Sequence, residues 1–406
     1  MNTCILTIGD ELLQGFTIDT NSAWIGKTIL PYGLNITKKV SVGDNLKTII
    51  DESLKILECD FDFFFVTGGL GPTHDDITKE AFRQILNDEL YLDENYYSEL
   101  KLRFEKHLKK MPEINRSQAM LLKKADIIPN ESGSALGMHF YEKETHIFIL
   151  PGVPDEMKSM VTNHIIPNYF VDTPRVNHTT IKTAGVMESR LAEKVSDLME
   201  KYSDKFRFAF LPHYTGVSFR ITHLSEGSNL IHVKDEFYRA MQPYAFGYEK
   251  DTLEGILANK LIKNKLTISV AESCTGGLIG KRLTDVPGSS EYFLGSITAY
   301  SNNLKKTFLD VPEKTLDQHG AVSEETALAM AQGIKDRVGT NIGLSTTGIS
   351  GPGGGSKTKS VGLVYISIIT PKKSIVKKYQ FQIERHIHRE MTATAALNIT
   401  RLAIES

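Results

Sequence analysis

Residues 266–281, LTISVAESCTGGLIGK, constrain the fold more than any other stretch of this chain. Leu266 to Ala271 is a short run rich in Leu, Ile and Val, which predicts a buried strand. Glu272, Ser273, Cys274, Thr275, Gly276 and Gly277 follow, and a small-residue helix is predicted from Leu278. Strand, glycine turn, helix is the pattern of layered α/β folds. Where such a helix begins, its first N–H groups lack partners and, with the positive end of the dipole, attract anions. Paired glycines let a ligand approach the backbone. Ser273 can act as a nucleophile if a base is near. Ser273 and Thr275 can equally serve only as helix caps.

At 406 residues the chain exceeds one ordinary core, so roughly two to three domains are expected. A net charge of -2 creates no field that would gather nucleic acid or acidic lipid, and neither partner is expected. Three cysteines without a C-x-x-C pair suit a reducing cytosol better than a disulfide framework or a thiolate zinc site. The opening MNTCILTIGDELL reads as a first strand rather than a leader. No apolar stretch approaches the roughly 18–20 residues that span a bilayer.

Residues 1–170 alternate strands and helices. Strands are predicted at Cys4–Ile8, Ile36–Val42 and Asp62–Thr67, and Asp19-Thr20-Asn21-Ser22 offers a cap for a helix running through Trp24, Ile25 and Ile29. The third strand enters the loop Gly68-Gly69-Leu70-Gly71-Pro72-Thr73-His74-Asp75-Asp76, and a helix follows with Ala81 and Phe82 on one face. Glu89–Lys124 reads as largely helical and charged. Residues 171–250 lack glycine loops and read as a small α+β module: Thr179–Ala184, a helix Ser189–Lys201 and Val217–Leu224. A KH domain that binds RNA would carry a GXXG clamp. None occurs there, so a spacer or packing role is expected. Residues 251–406 open with a helix, Leu253–Lys263, and return to α/β. Strands are predicted at Ser296–Tyr300, Asn341–Thr347 and Val361–Thr370, with helices Ser323–Val338 and Arg389–Glu405. The fold class is therefore α/β, two layered domains joined by a small α+β domain.

In the last domain three groups can converge. Ser273 is one nucleophile, and its neighbour Cys274 is the rival, because a thiol near a helix start is the more reactive. In extended backbone the two point opposite ways, so only one can face a site. Lys305 follows the strand bearing Tyr300. Buried beside a serine, a lysine loses charge and becomes a base; on the surface it is merely solvated. The loop Thr347–Gly355, with Gly348, Gly351 and Gly353, offers N–H groups to a phosphate or an oxyanion, or forms a plain hairpin. In the first domain Gly68, Gly69 and Gly71 can cradle phosphates, and Asp44, Asp75, Asp76 and Asp10 or Glu11 can face a hard cation such as Mg²⁺. There Thr73 and Asp75 can instead form a turn and cap.

These residues resemble one family. GDELLQG at 9–15, DTNS at 19–22, VGDN at 42–45, TGGLGPTHDD at 67–76 and PGVPDEM at 151–157 are similar to the molybdopterin-binding-type domain of the competence/damage-inducible CinA proteins. AESCTGG at 271–277, AYSNNLK at 299–305, HGAVS at 319–323 and TGISGPGGG at 347–355 are similar to their nicotinamide mononucleotide deamidase domain. The resemblance implies a KH-like linker over 171–250 and a cytoplasmic homodimer. It also implies hydrolysis of nicotinamide mononucleotide to nicotinic acid mononucleotide and ammonia without a cofactor. Ser273 is then the nucleophile, Lys305 its base, and Tyr300 and Thr347 fall on active-site positions. Thr275, Gly276, Gly277 and the glycines of the later loop would meet the substrate. The family's late arginine pattern carries a glycine where this chain has Ile383, which leaves Arg385 as the ligand contact and Arg389 as its alternate. For the first domain the resemblance implies ADP-ribose hydrolysis with a divalent metal, with Asp44 and Asp76 at family positions and Asp76 as metal ligand. The rival reading is a non-catalytic nucleotide- or pterin-binding module that acts through a protein partner.

Overall fold

The computed structural model describes residues 1–108, 110–171, 173, 176–223 and 230–405. The chain divides into two compact units, Met1–Val176 and Asn177–Ser406. Among the described residues no helix is long and apolar enough to cross a membrane.

The first unit is built on a six-stranded sheet in the order β2-β1-β3-β8-β7-β6. Its strands are β1 (Asn2–Ile8), β2 (Asn35–Val42), β3 (Phe63–Thr67), β6 (Asp126–Ile128), β7 (Gly137–Glu142) and β8 (Thr145–Leu150); a separate hairpin pairs β4 (Leu90–Leu92) with β5 (Met120–Leu122). β2, β1, β3 and β8 run parallel, β7 is antiparallel to β8, and β6, antiparallel to β7, returns to the first direction. Strand parity sorts the core. Cys4, Leu6, Ile8, Phe64 and Val66 face one helical layer. Ile5, Phe63 and Phe65 face the other, with Ile25, Ile29 and Met157. Asp19 caps the helix Thr20–Ile29, as expected, by accepting the Ser22 N–H at 3.0 Å. The stretch Glu89–Lys124 is largely helical, as expected, but it also holds two short strands that the sequence reading did not contain. Helix Glu94–Leu108 and the 3-10 turns Glu113–Ala119 lie between the two strands of the β4–β5 hairpin, whose three-residue strands are too short to show a period.

The second unit begins with an antiparallel sheet, order β10-β11-β9-β12: β9 (His178–Thr183), β10 (Phe206–His213), β11 (Gly216–His223) and β12 (Ala245–Tyr248). Helices Glu188–Tyr202 and Leu230–Ala240 pack on one side through Leu191, Val195, Val233 and Phe237. Of the strand expected at Val217–Leu224, Leu224 lies outside the described residues. β10 and β12 were absent from the sequence reading.

The last sheet runs β14-β13-β15-β16-β17: β13 (Ile268–Glu272), β14 (Phe293–Thr298), β15 (Ile342–Gly348), β16 (Leu363–Ile369) and β17 (Ser374–Gln380). β13 lies between two parallel neighbours and every one of its residues is buried, the polar Ser269 and Glu272 included. Ile268 and Val270 face helices Leu253–Lys263 and Arg385–Glu405, with Leu257, Leu261, Ala393 and Leu397. Ala271 faces the opposite layer, with Leu309, Met330 and Ile334 from helices Asn302–Leu309 and Glu324–Val338. The molecule is thus mixed α/β, two layered α/β domains with a small α+β domain between them in sequence. The final helix begins at Arg385, four residues before its expected start, so both candidate arginines lie on it.

Candidate active site

β13 and β15 end side by side, and their ends fix the turn that follows β13. The Ser273 N–H donates to the Thr346 carbonyl at 3.0 Å, which extends the ladder by one residue and sets which side chains face which layer. Ser273 keeps the parity of Ala271 and turns toward helix Asn302–Leu309. That helix is capped by Ser301, whose Oγ accepts the Leu304 N–H, and its buried residues are Lys305 and Leu309, one turn apart. Lys305 Nζ lies 3.2 Å from Ser273 Oγ. It also donates to the carbonyls of Ala299 at 2.8 Å and Tyr300 at 3.3 Å. Lys305 is 1% exposed, and among the described residues no carboxylate pairs with it. Burial, opposed by the neighbouring Cys274, pulls its pKa from 10.5 down to about 8. A useful fraction is therefore neutral near physiological pH and able to take a proton from Ser273.

Cys274 points the other way. It sits in the apolar layer with Ile279 and Leu283, and burial pushes its thiol up to about 12. A thiol in that state is a core side chain and not a nucleophile.

The helix start predicted to receive an anion is already filled by one. Glu272, fully buried, reaches past the turn. Its Oε2 accepts the N–H groups of Gly277 at 3.0 Å and Ile279 at 3.1 Å, and its Oε1 accepts that of Gly280 at 2.8 Å. This corrects the reading of Gly277 as a ligand donor: its N–H belongs to Glu272. The glycine is required for another reason, since it starts the helix at φ +93. Thr275 Oγ1 is spent on Thr346 Oγ1 at 2.8 Å. The Thr275 carbonyl is held by Arg389 Nε at 3.1 Å and Nη2 at 2.7 Å. The N–H groups of Cys274 and Thr275 make no hydrogen bond to another described residue, and they follow Ser273 in the turn.

The other candidates fall around this turn. Tyr300 is 59% exposed, and its hydroxyl accepts Arg385 Nη2 at 2.8 Å. Arg385 Nη1 donates to the Gly351 carbonyl at 2.8 Å, so one guanidinium ties Tyr300 to the glycine loop. Gly353 has open space around it. Gly348 has not: a Cβ there would meet the Leu363 carbonyl oxygen at 2.7 Å, so it serves the β15–β16 pairing. Thr347 is buried and its Oγ1 donates to the Ala321 carbonyl at 2.6 Å, which makes it an anchor for the HGAVS segment and leaves no free hydroxyl proton. A Cβ on Gly276 would lie 3.3 Å from Arg389 Nη2. The sequence reading passed over Glu272, whose signal was an acid at a strand end six residues before a helix start, and Ser350, whose buried Oγ has no partner among the described residues.

In the first unit a cleft of about 420 Å³ opens at the carboxyl ends of the parallel strands. Gly68, Gly69, Gly71, Asp44 and Asp76 line it, together with Glu11 and Asp75. Gly68, at φ +108, passes so close to the Ile8 carbonyl that no side chain fits. Asp76 fastens the loop: Oδ1 accepts the Gly71 N–H at 2.7 Å, and Oδ2 accepts the Thr73 N–H at 2.8 Å and Oγ1 at 2.6 Å. Asp44 accepts the Asp10 N–H at 2.9 Å. Partial burial and the nearby carboxylates of Asp10, Glu11 and Asp75 raise its pKa, although the Asp10 N–H pulls it down. Among the described residues no group of three or more His, Cys, Asp or Glu is placed to hold a metal ion. Both oxygens of Asp76 are thus engaged in holding the loop.

Three family models match in chain order. The probable molybdopterin binding domain covers residues 4–170, the damage-inducible protein CinA KH domain 178–247, and the CinA C-terminal domain 250–404. The chain is 36% identical over 408 residues to a CinA-like protein of Salinibacter ruber, covering 99% of each. It is 39% identical to a putative competence-damage inducible protein of Caldicellulosiruptor bescii, covering 98% of each.

Proposed function

We propose, from the premise that this chain belongs to the CinA family, that its last domain is a serine–lysine amidohydrolase acting on the carboxamide of nicotinamide mononucleotide. One observation carries the reading: a buried, carbonyl-held lysine with a lowered pKa within 3.2 Å of a serine at a glycine turn. Neutral Lys305 takes the Ser273 proton as Oγ bonds to the amide carbon. The carbon–nitrogen bond then breaks, the ammonium of Lys305 returns the proton to nitrogen, and ammonia leaves. The resulting ester is opened by water, which gives its proton to Lys305; Ser273 Oγ leaves and regains that proton. The amides of Cys274 and Thr275 are the donors left for the oxyanion. Arg385, bridging Tyr300 and Gly351, supports the reading of that edge as the place for the phosphate. The chemistry needs no cofactor. We further propose that the first unit's cleft binds a nucleotide such as ADP-ribose, although no metal-dependent step follows from its residues, and that the protein works as a cytoplasmic homodimer.

Ammonia release from nicotinamide mononucleotide tests the reading. Ser273→Ala should lose turnover by orders of magnitude, Cys274→Ala should keep most of it, and Lys305→Arg should fail because a guanidinium stays protonated. An active Ser273→Ala would end the proposal. Binding without ammonia release in the parent chain would favour the non-catalytic module.

A further inference from the structure

A cavity of about 600 Å³ lies within the second unit, away from Ser273, where the small module meets the last domain. One wall is the final helix, through Met391, Thr394, Ala395, Asn398 and Leu402; the other includes Gly185, Tyr214 and Tyr244. Tyr379 and Phe381, also lining it, stack at 5.3 Å with their planes 21° apart. This size and lining are those of small-molecule sites, which favour domain junctions.

One polar group in this wall has a fixed direction. Asn398 Oδ1 accepts Arg401 Nε at 3.1 Å and Nη2 at 3.0 Å. Arg401 is 2% exposed and donates as well to the carbonyls of Pro243 and Ala245, so it cannot swing away. The Asn398 amide is therefore locked with its Nδ2 turned from the guanidinium toward Gly185. That nitrogen has no acceptor among the described residues, and a Cβ at Gly185 would stand 3.5 Å from it, in ordinary contact. An aimed donor among aromatic rings calls for a flat ligand with an acceptor at its edge. No lysine or arginine lines the cavity, Glu188 does, and burial lowers the pKa of His213, its one histidine, so the lining favours an uncharged ligand over an anion.

We propose that this cavity is a second ligand site, separate from the hydrolytic one, for an uncharged planar heteroaromatic compound whose carbonyl or ring nitrogen accepts from Asn398 Nδ2. Titration calorimetry of the full chain with 2-quinolone, an uncharged flat ring system with one carbonyl, tests it without reference to amide hydrolysis. Saturable binding at one site per chain is expected. Asn398→Asp keeps the Arg401 contacts and removes the donor, so it should weaken binding at least about tenfold, the scale of one lost hydrogen bond. Ala395→Trp should fill the cavity and abolish binding. Absence of saturable binding, or binding unchanged in Asn398→Asp, overturns the proposal; the isosteric aspartate decides the matter even if the tryptophan variant does not fold.

Discussion

Replacing Lys305 with methionine should change stability relative to the parent chain in a pH-dependent way whose sign the structure dictates. Lys305 is 1% exposed, surrounded by neutral oxygens, and its pKa falls from 10.5 to about 8. In the unfolded chain it titrates near about 10.4. Because the folded value is the lower one, the unfolded chain holds more protons between the two, and folding pays a penalty for the charged ammonium. That penalty is fully present below about pH 8, fades as pH rises and is gone above about 10.5. At about 1.4 kcal/mol per pH unit of separation it amounts to roughly 3 kcal/mol at pH 7 and under about 1 kcal/mol at pH 10. Methionine removes it at every pH but leaves the Ala299 and Tyr300 carbonyls without their donor, a loss of about 1–3 kcal/mol that does not vary with pH. The net effect at pH 7 is thus a near balance, while the difference between the two proteins should shift by roughly 2–3 kcal/mol toward the parent from pH 7 to 10. Urea unfolding of both proteins at the two pH values measures this, and other titrating groups cancel in the difference. A difference that stays flat would mean that Lys305 is not held in the low-pKa state, and the lysine would lose its role as base.

If Lys305 is the base, kcat/KM for nicotinamide mononucleotide should rise with pH and level off above about 8, the value to which burial lowers this lysine. A profile still climbing at pH 10 would contradict it. Glu272→Gln places an amide NH₂ or a neutral oxygen against three N–H groups, so it should cost about 2–4 kcal/mol in urea unfolding and lower turnover even where the variant is folded. Asp76→Asn should loosen the glycine loop and weaken ADP-ribose binding by about tenfold in calorimetry while amide hydrolysis is unchanged, because the cleft and Ser273 lie in different units.

Much of this was open to reading from the sequence, and the rest has identifiable physical causes. Long buried strands and glycine loops announced both layered domains, because a strand covered on both faces must be apolar along its length and a turn at φ > 0 must be glycine. β10 left a clear period of two in Phe206, Phe208 and Phe210 that went unused. The hairpin β4–β5 left none, since three residues are too few. By residue type alone Lys305 reads as a surface side chain. The better signal was its position one helical turn before Leu309, on the face that buries that leucine. Thr347 and Gly277 sit where active-site residues were expected, yet their polar groups are consumed by Ala321 and Glu272, and partners distant in sequence leave no local trace.

The choice between a hydroxyl and a thiol enzyme is, in this fold, a question of register. Ser273 and Cys274 are adjacent in sequence but belong to opposite layers, one with Ala271 and Lys305 and the other with Val270 and Ile279. What assigns them is the pairing of β13 with β15, Ala271 opposite Ser345 and Glu272 opposite Thr346, continued by the Ser273 N–H to the Thr346 carbonyl. A one-residue slip would turn the thiol toward Lys305 and the hydroxyl into the core, and would also carry Glu272 away from the three N–H groups it satisfies. A buried carboxylate stripped of those donors costs several kcal/mol, so Glu272 guards the register as well as the helix start. Which of the two side chains meets Lys305 thus rests on Glu272, whose oxygens are turned to the helix start.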